Sequence, residues 1–126
     1  MKKTAFFVLL IFCGIQVFSQ KTIQVNKVTN DSYTQVLEDG SKLVTFTITG
    51  FTSEEQAIEM EQFFRNFRGV EECGFVYDIS TGSCYCTGRF YKYADSKYFS
   101  FLLQKAGFSL IKLENKNIPV EELKNL

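Results

Sequence analysis

The 126-residue chain contains no histidine, no tryptophan and one proline, Pro119. Without histidine it lacks the usual general base at neutral pH, every serine–histidine or cysteine–histidine nucleophile, and the commonest zinc ligand. It also lacks a charge excess, with 14 basic against 14 acidic residues. That balance gives no electrostatic footprint for nucleic acid or an anionic membrane. No low-complexity segment interrupts the chain.

One long apolar run is present, Ala5 to Phe18, after Lys2 and Lys3 and before Ser19-Gln20. A basic start, an apolar stretch and a small residue make a secretory signal peptide over residues 1–19. Cleavage next to Ser19 is expected to leave Gln20 or Lys21 as the mature N-terminus. The run is shorter than the ~20 residues that a spanning helix requires, so a retained membrane anchor is the lesser reading. A lipoprotein reading on Cys13 is disfavoured by the bulky Phe12 before it. The expectation is an exported protein, periplasmic or secreted, with no membrane contact once the leader is removed. Roughly 105 residues then remain, enough for one core. Loss of Lys2 and Lys3 tips them slightly acidic.

Lys21 to Val28 alternates apolar and polar residues, as a short strand does. Turn formers at Asn30-Asp31-Ser32 and Asp39-Gly40-Ser41 make the next stretch a connection or hairpin. Residues 20–42 are thus read as an N-terminal arm and residues 43–126 as the domain proper. In KLVTFTITGF, Val44, Phe46 and Ile48 share one face and Thr45, Thr47 and Thr49 the other, a half-buried strand. In SEEQAIEMEQFFRNFRG, Met60, Phe63, Phe64 and Phe67 fall on one helix face, and Gly69 ends the element. VEECGFVYDIS and SCYCTGRFYKY read as a hairpin around Thr81-Gly82. A second helix from about Asp95 to Ala106 carries Phe99, Leu102, Leu103 and Ala106 on one stripe, and Gly107 stops it. FSLIKLEN is a last strand, and IPVEELKNL adds a helical turn that Pro119 begins.

The resulting order is strand, helix, strand, strand, helix, strand. It predicts an α+β ferredoxin-like split βαβ (βαββαβ) sandwich, with two helices on one face of an antiparallel sheet and an extra N-terminal strand or arm. Thr45, Thr47, Val76, Tyr85 and Thr87 should occupy the opposite face.

Gly50 to Val70, GFTSEEQAIEMEQFFRNFRGV, resembles the first strand–helix unit of the heavy-metal-associated domain. That family reads glycine, methionine, any residue, cysteine, two residues, cysteine, then a helix closed by glycine-valine. Gly50-Phe51 take the glycine-methionine places, and Gly69-Val70 close the unit without a gap. The turn from Asp78 to Gly82 and the Ala106-Gly107-Phe108 helix end are similar as well. The resemblance covers Leu43 to about Leu113. It implies the fold above and, in members with the motif, soft-metal binding. Here the two metal-binding cysteines would fall at Ser53 and Gln56, which supply no thiolate, so the motif is degenerate. Those residues instead form a capping box: Ser53 accepts from the Gln56 amide, and the Gln56 side chain reaches back to Ser53. Glu54 and Glu55 complement the helix dipole. A hard cation on Glu54, Glu55 and Glu59 is the lesser alternative, since acidic first turns are as a rule solvated faces.

Beyond the leader, Cys73, Cys84 and Cys86 make an odd set for an exported protein. Cys84 and Cys86 point to one face of a strand. With Thr81-Gly82 as the turn, Ile79 lies opposite Cys84, Tyr77 opposite Cys86, and Cys73 near Phe90. Cys73 is then about 13 Å from Cys86 along the strand, too far for a disulfide. Phe75 and Ile79 put the thiols on the core side, where cysteine acts as a small hydrophobe. The alternatives are a relocated soft-metal site on Cys84 and Cys86, completed by Cys73 or a partner's sulfur, and an intermolecular disulfide. In RFYKYADSKYF, bases and aromatics interleave; Tyr85, Arg89 and Tyr91 form the expected partner surface.

These residues imply a non-catalytic, exported binding or adaptor domain without the family's metal site and without a cofactor. It would engage a protein partner or its own copy. The competing expectations are a copper- or zinc-type metal-binding or transport protein using Cys84 and Cys86, and a thiol-redox enzyme, which needs an exposed thiolate of low pKa.

Overall fold

The computed structural model describes residues 21–28, 32–124 and 126. The expected signal peptide, Cys13 and the Asn30-Asp31 turn lie outside the described residues. Among the described residues, seven strands form one mixed sheet and two α-helices pack on it. The strands are β1 (Thr22–Asn26), β2 (Gln35–Val36), β3 (Lys42–Thr49), β4 (Val70–Asp78), β5 (Ser83–Phe90), β6 (Leu110–Leu113) and β7 (Lys116–Pro119). The helices are α1 (Glu54–Arg65) and α2 (Ser96–Lys105), and a short 3-10 turn covers Val120–Glu122.

Across the sheet the order is β4-β5-β3-β1-β6-β7, and β2 also pairs with β3. The N-terminal arm is therefore a strand deep in the sheet. β1 runs antiparallel to β3 and parallel to β6, which corrects the expected all-antiparallel sheet. The reason is the alternation in its own sequence. Ile23 and Val25 are buried beside Ile48 and Phe46 of β3, and Ile23 also pairs with Ile111 of β6. A strand with one apolar face gains most by taking a central place. β2 resumes along β3 in the direction of β1, with Asn26 opposite Thr45 and Gln35 opposite Leu43.

Both helices cover the same sheet face. Phe64 of α1 stacks on Phe46 of β3 with ring centroids 5.4 Å apart, and Phe99 of α2 meets Phe90 of β5 edge-on at 4.9 Å. Ala57 and Phe64 are the buried residues of α1, with Met60, Phe63 and Phe67 half-buried around them. Phe99, Leu102 and Leu103 anchor α2. Burying each such side chain contributes about 1.5–3 kcal/mol, which outweighs the modest helix propensity of phenylalanine.

The β4–β5 hairpin corrects the expected register by two residues. Tyr77 lies opposite Cys84, Phe75 opposite Cys86 and Cys73 opposite Gly88. Asp78 causes the shift: its carboxylate accepts from the Ser80 amide and hydroxyl, and its carbonyl accepts from Gly82 N–H. The loop thus spans residues 79–82, and Ile79 lies in it with 83% exposure rather than in the core. An even shift leaves the residues that remain paired in the strands on their expected face. β7 has no counterpart in the sequence reading. It returns through Glu114 and Asn115, both at positive φ, the two-residue geometry that matches strand twist.

Candidate functional site

Three places were expected to carry function: the first turn of α1, the cysteines, and the surface around Tyr85. At the first turn, Ser53 is extended (φ −152°, ψ 158°), and its hydroxyl accepts from Gln56 N–H at 3.3 Å. The Gln56 side-chain oxygen accepts from Thr52 N–H at 3.0 Å. The cap is reciprocal, but its return bond reaches Thr52, one residue before the expected Ser53. The longer glutamine side chain spans the whole turn, so Ser53 and Gln56 both have backbone partners.

The same turn is wedged against the hairpin loop. Phe51 is buried, meets Tyr77 edge-on at 6.3 Å, and donates its N–H to Gly82 O at 3.0 Å. A Cβ on Gly82, whose φ is +68°, would stand 2.6 Å from Phe51 O.

Cys73, Cys84 and Cys86 are buried free thiols on the helix-covered face. Cys73 is two positions from Cys86 in register, about 7 Å along the strand rather than 13 Å. Burial pushes all three thiols up: Cys73 to about 12, with the Glu61 carboxylate adding to it, and Cys84 and Cys86 in the same direction. The Cys86 thiol points back to Cys84 O at 3.6 Å. Among the described residues, no group of three or more cysteine, aspartate or glutamate side chains is placed to hold a metal ion. A thiolate is the form that binds soft metals and attacks disulfides, and this environment disfavours it.

Tyr85, Arg89 and Tyr91 do not form one surface. Tyr85 and Arg89 share the sheet face away from the helices, with Thr45, Thr47, Val76 and Thr87. Tyr85 is 53% exposed, and its cross-strand neighbour Val76 is 69% exposed. Arg89 pairs with Glu72 at 3.1 Å and Glu71 at 3.5 Å. Tyr91 belongs to an aromatic cluster at the start of α2, 5.2 Å from the Tyr98 ring. It donates its N–H to Gly69 O at 2.8 Å, and the Tyr98 hydroxyl donates to Arg68 O at 2.6 Å. A Cβ on Gly69 would meet both rings within 3 Å. Tyr91 is thus packed in place, and Tyr85 is the more exposed of the two rings.

An open groove of about 600 Å³ runs beside β4 and is lined by Arg65, Glu72, Cys73, Gly74 and Arg89 among others. Arg89 pairs there with Glu71 and Glu72, and Arg65 pairs with Glu61 of its own helix. The residues that sequence reasoning missed are Glu61 and Arg65. Their i,i+4 spacing signals only a helix-surface ion pair, yet both reach the β4 backbone. No helix among the described residues is long and apolar enough to cross a membrane. No protein-family model, no curated protein and no solved structure matches this chain.

Proposed function

We propose that this chain is an exported, non-catalytic binding or adaptor domain, on a ferredoxin-like scaffold of the heavy-metal-associated kind that has lost its metal motif. Its docking surface is the bare sheet face centred on Tyr85 and Val76, and the ligand is a protein. The observation that carries this reading is the exposure of those two cross-strand neighbours on a face that neither helix covers. Exposed tyrosine beside an aliphatic residue, ringed by threonines, has the composition of an interface core with a polar rim. The scaffold reading is supported by the succession β3-α1-β4-β5-α2-β6 and by β5 lying between β4 and β3. β1, intercalated between β3 and β6, is the departure from the resembled pattern.

Against the soft-metal reading stands the burial of Cys84 and Cys86, which pushes both thiols up. A copper(I) titration of the reduced protein separates the two readings. The binding-domain reading predicts no tight stoichiometric uptake. Tight uptake that is lost in Cys84→Ser/Cys86→Ser would overturn it.

A further inference from the structure

The outer edge of β4 is closed by two side chains of α1. Phe75 N–H donates to Glu61 Oε2 at 2.7 Å, and Arg65 Nε donates to Cys73 O at 2.9 Å. The two side chains are one helical turn apart and themselves pair at 3.5 Å. In a strand the N–H and C=O of one residue point the same way, and the direction alternates. Residues 73, 75 and 77 therefore turn their backbone groups outward, while 74, 76 and 78 face β5. A carbonyl and the amide two residues on are the pair that one residue of a parallel neighbouring strand engages. The Glu61 carboxylate and the Arg65 guanidinium occupy that residue's place, with charge-assisted bonds.

The two sheet edges are closed by different means. β7 has four residues and ends in Pro119, which has no N–H to offer. β4 has nine residues and an exposed valine, the kind of edge that pairs with another chain unless blocked. Its stop consists of two side chains, Arg65 largely exposed and Glu61 mostly covered, and side chains can swing away where a backbone strand cannot.

We propose that the Glu61–Arg65 pair is a removable stop on a self-association edge: when it withdraws, β4 pairs antiparallel with β4 of a second copy across a two-fold axis. With Phe75 on the axis, each copy offers the other the outward groups of residues 73, 75 and 77. On the bare face, Val76 of each copy then lies opposite Gly74 of the other. Nothing stands within 4 Å of where a Gly74 Cβ would be, so an exposed side chain meets open space in both directions. An isologous contact of this kind closes on itself and stops at a dimer. Glu72 would face Asp78 of the second copy, a like-charge pair that Arg89 only partly offsets, so the dimer is weak and reversible.

The test is sedimentation velocity over a concentration series of the purified protein, of Glu61→Ala/Arg65→Ala, and of that variant with Val76→Glu added, which puts a further acid beside the Glu72–Asp78 pairs. The expected result is a self-association constant raised about tenfold or more in the double variant, with the monomer restored by the added glutamate. A folded double variant that associates no more than the parent would overturn the proposal, and so would a dimer that survives Val76→Glu. If the double variant does not fold, Glu61→Gln and Arg65→Gln are read singly. Each should tighten association, and Glu61→Gln, the one that touches the Phe75 amide, should also speed exchange there; association no tighter than the parent's in both would overturn the proposal.

Discussion

The two faces of the sheet come from the same strands, residue by residue, and differ in almost every property. On β5, Cys84, Cys86 and Phe90 are buried beneath the helices, while Tyr85 stands in solvent between the two thiols. The covered face is tolerant of nothing larger or more polar, because its neighbours are close-packed rings and thiols. On the bare face the constraints are strand pairing and the ion pairs of Arg89 with Glu71 and Glu72, which leave Tyr85 and Val76 exposed. A cysteine pair that looks chemical in the sequence belongs to the buried face. The tyrosine between them belongs to the other.

The largest expected contrast is in stability. Phe64→Ala removes a fully buried ring stacked on Phe46 and should cost about 3–5 kcal/mol in urea unfolding. A loss under about 1 kcal/mol would mean that the covered face is loosely packed. Alkaline titration sharpens the same contrast. The thiols ionise at higher pH in the folded chain than their ordinary 9.0, so their full contribution is present below pH 9. Above it the unfolded chain releases protons that the folded chain keeps. Stability should then fall by about 1.4 kcal/mol per pH unit for each such thiol. Cys84→Ala/Cys86→Ala should flatten that slope, and an unchanged slope would assign the loss to other groups.

Smaller effects lie at the α1 turn and on the bare face. Ser53→Ala deletes the acceptor for Gln56 N–H and should cost about 1 kcal/mol. A loss of metal content without loss of stability would revive the ion site. Tyr85→Ala should change stability by less than about 1 kcal/mol, the scale of a cross-strand contact. A larger loss would place Tyr85 in the structural rather than the recognition set.

The contrast between faces was legible in the sequence because period two is a local signal. Val44, Phe46 and Ile48 declare their side, and the thiols of β5 and the rings of α1 and α2 declare theirs. What escaped depends on less local physics. The hairpin register turned on whether the Asp78 side chain would bond the Ser80 amide, so Ile79 was assigned to the core when it belongs to the loop. β7 escaped because Glu114-Asn115 adopts left-handed backbone without the glycine that usually marks such a turn. The place of β1 between β3 and β6 is a pairing choice that its alternation permits but does not dictate. The reach of Glu61 and Arg65 to β4 requires knowing which strand lies under the last turns of α1. At the first turn, Ser53 was read correctly as a cap, while the return bond of Gln56 lay one residue away.

The account rests on recognition through the bare face, and a photo-reactive phenylalanine analogue tests it most directly. Installed at position 85, and separately at the exposed Phe101 on α2, it is irradiated in cells that produce the protein. The account predicts a discrete crosslinked species at position 85 that is absent at position 101. Equal crosslinking at both positions, or crosslinking at position 101 alone, would contradict it.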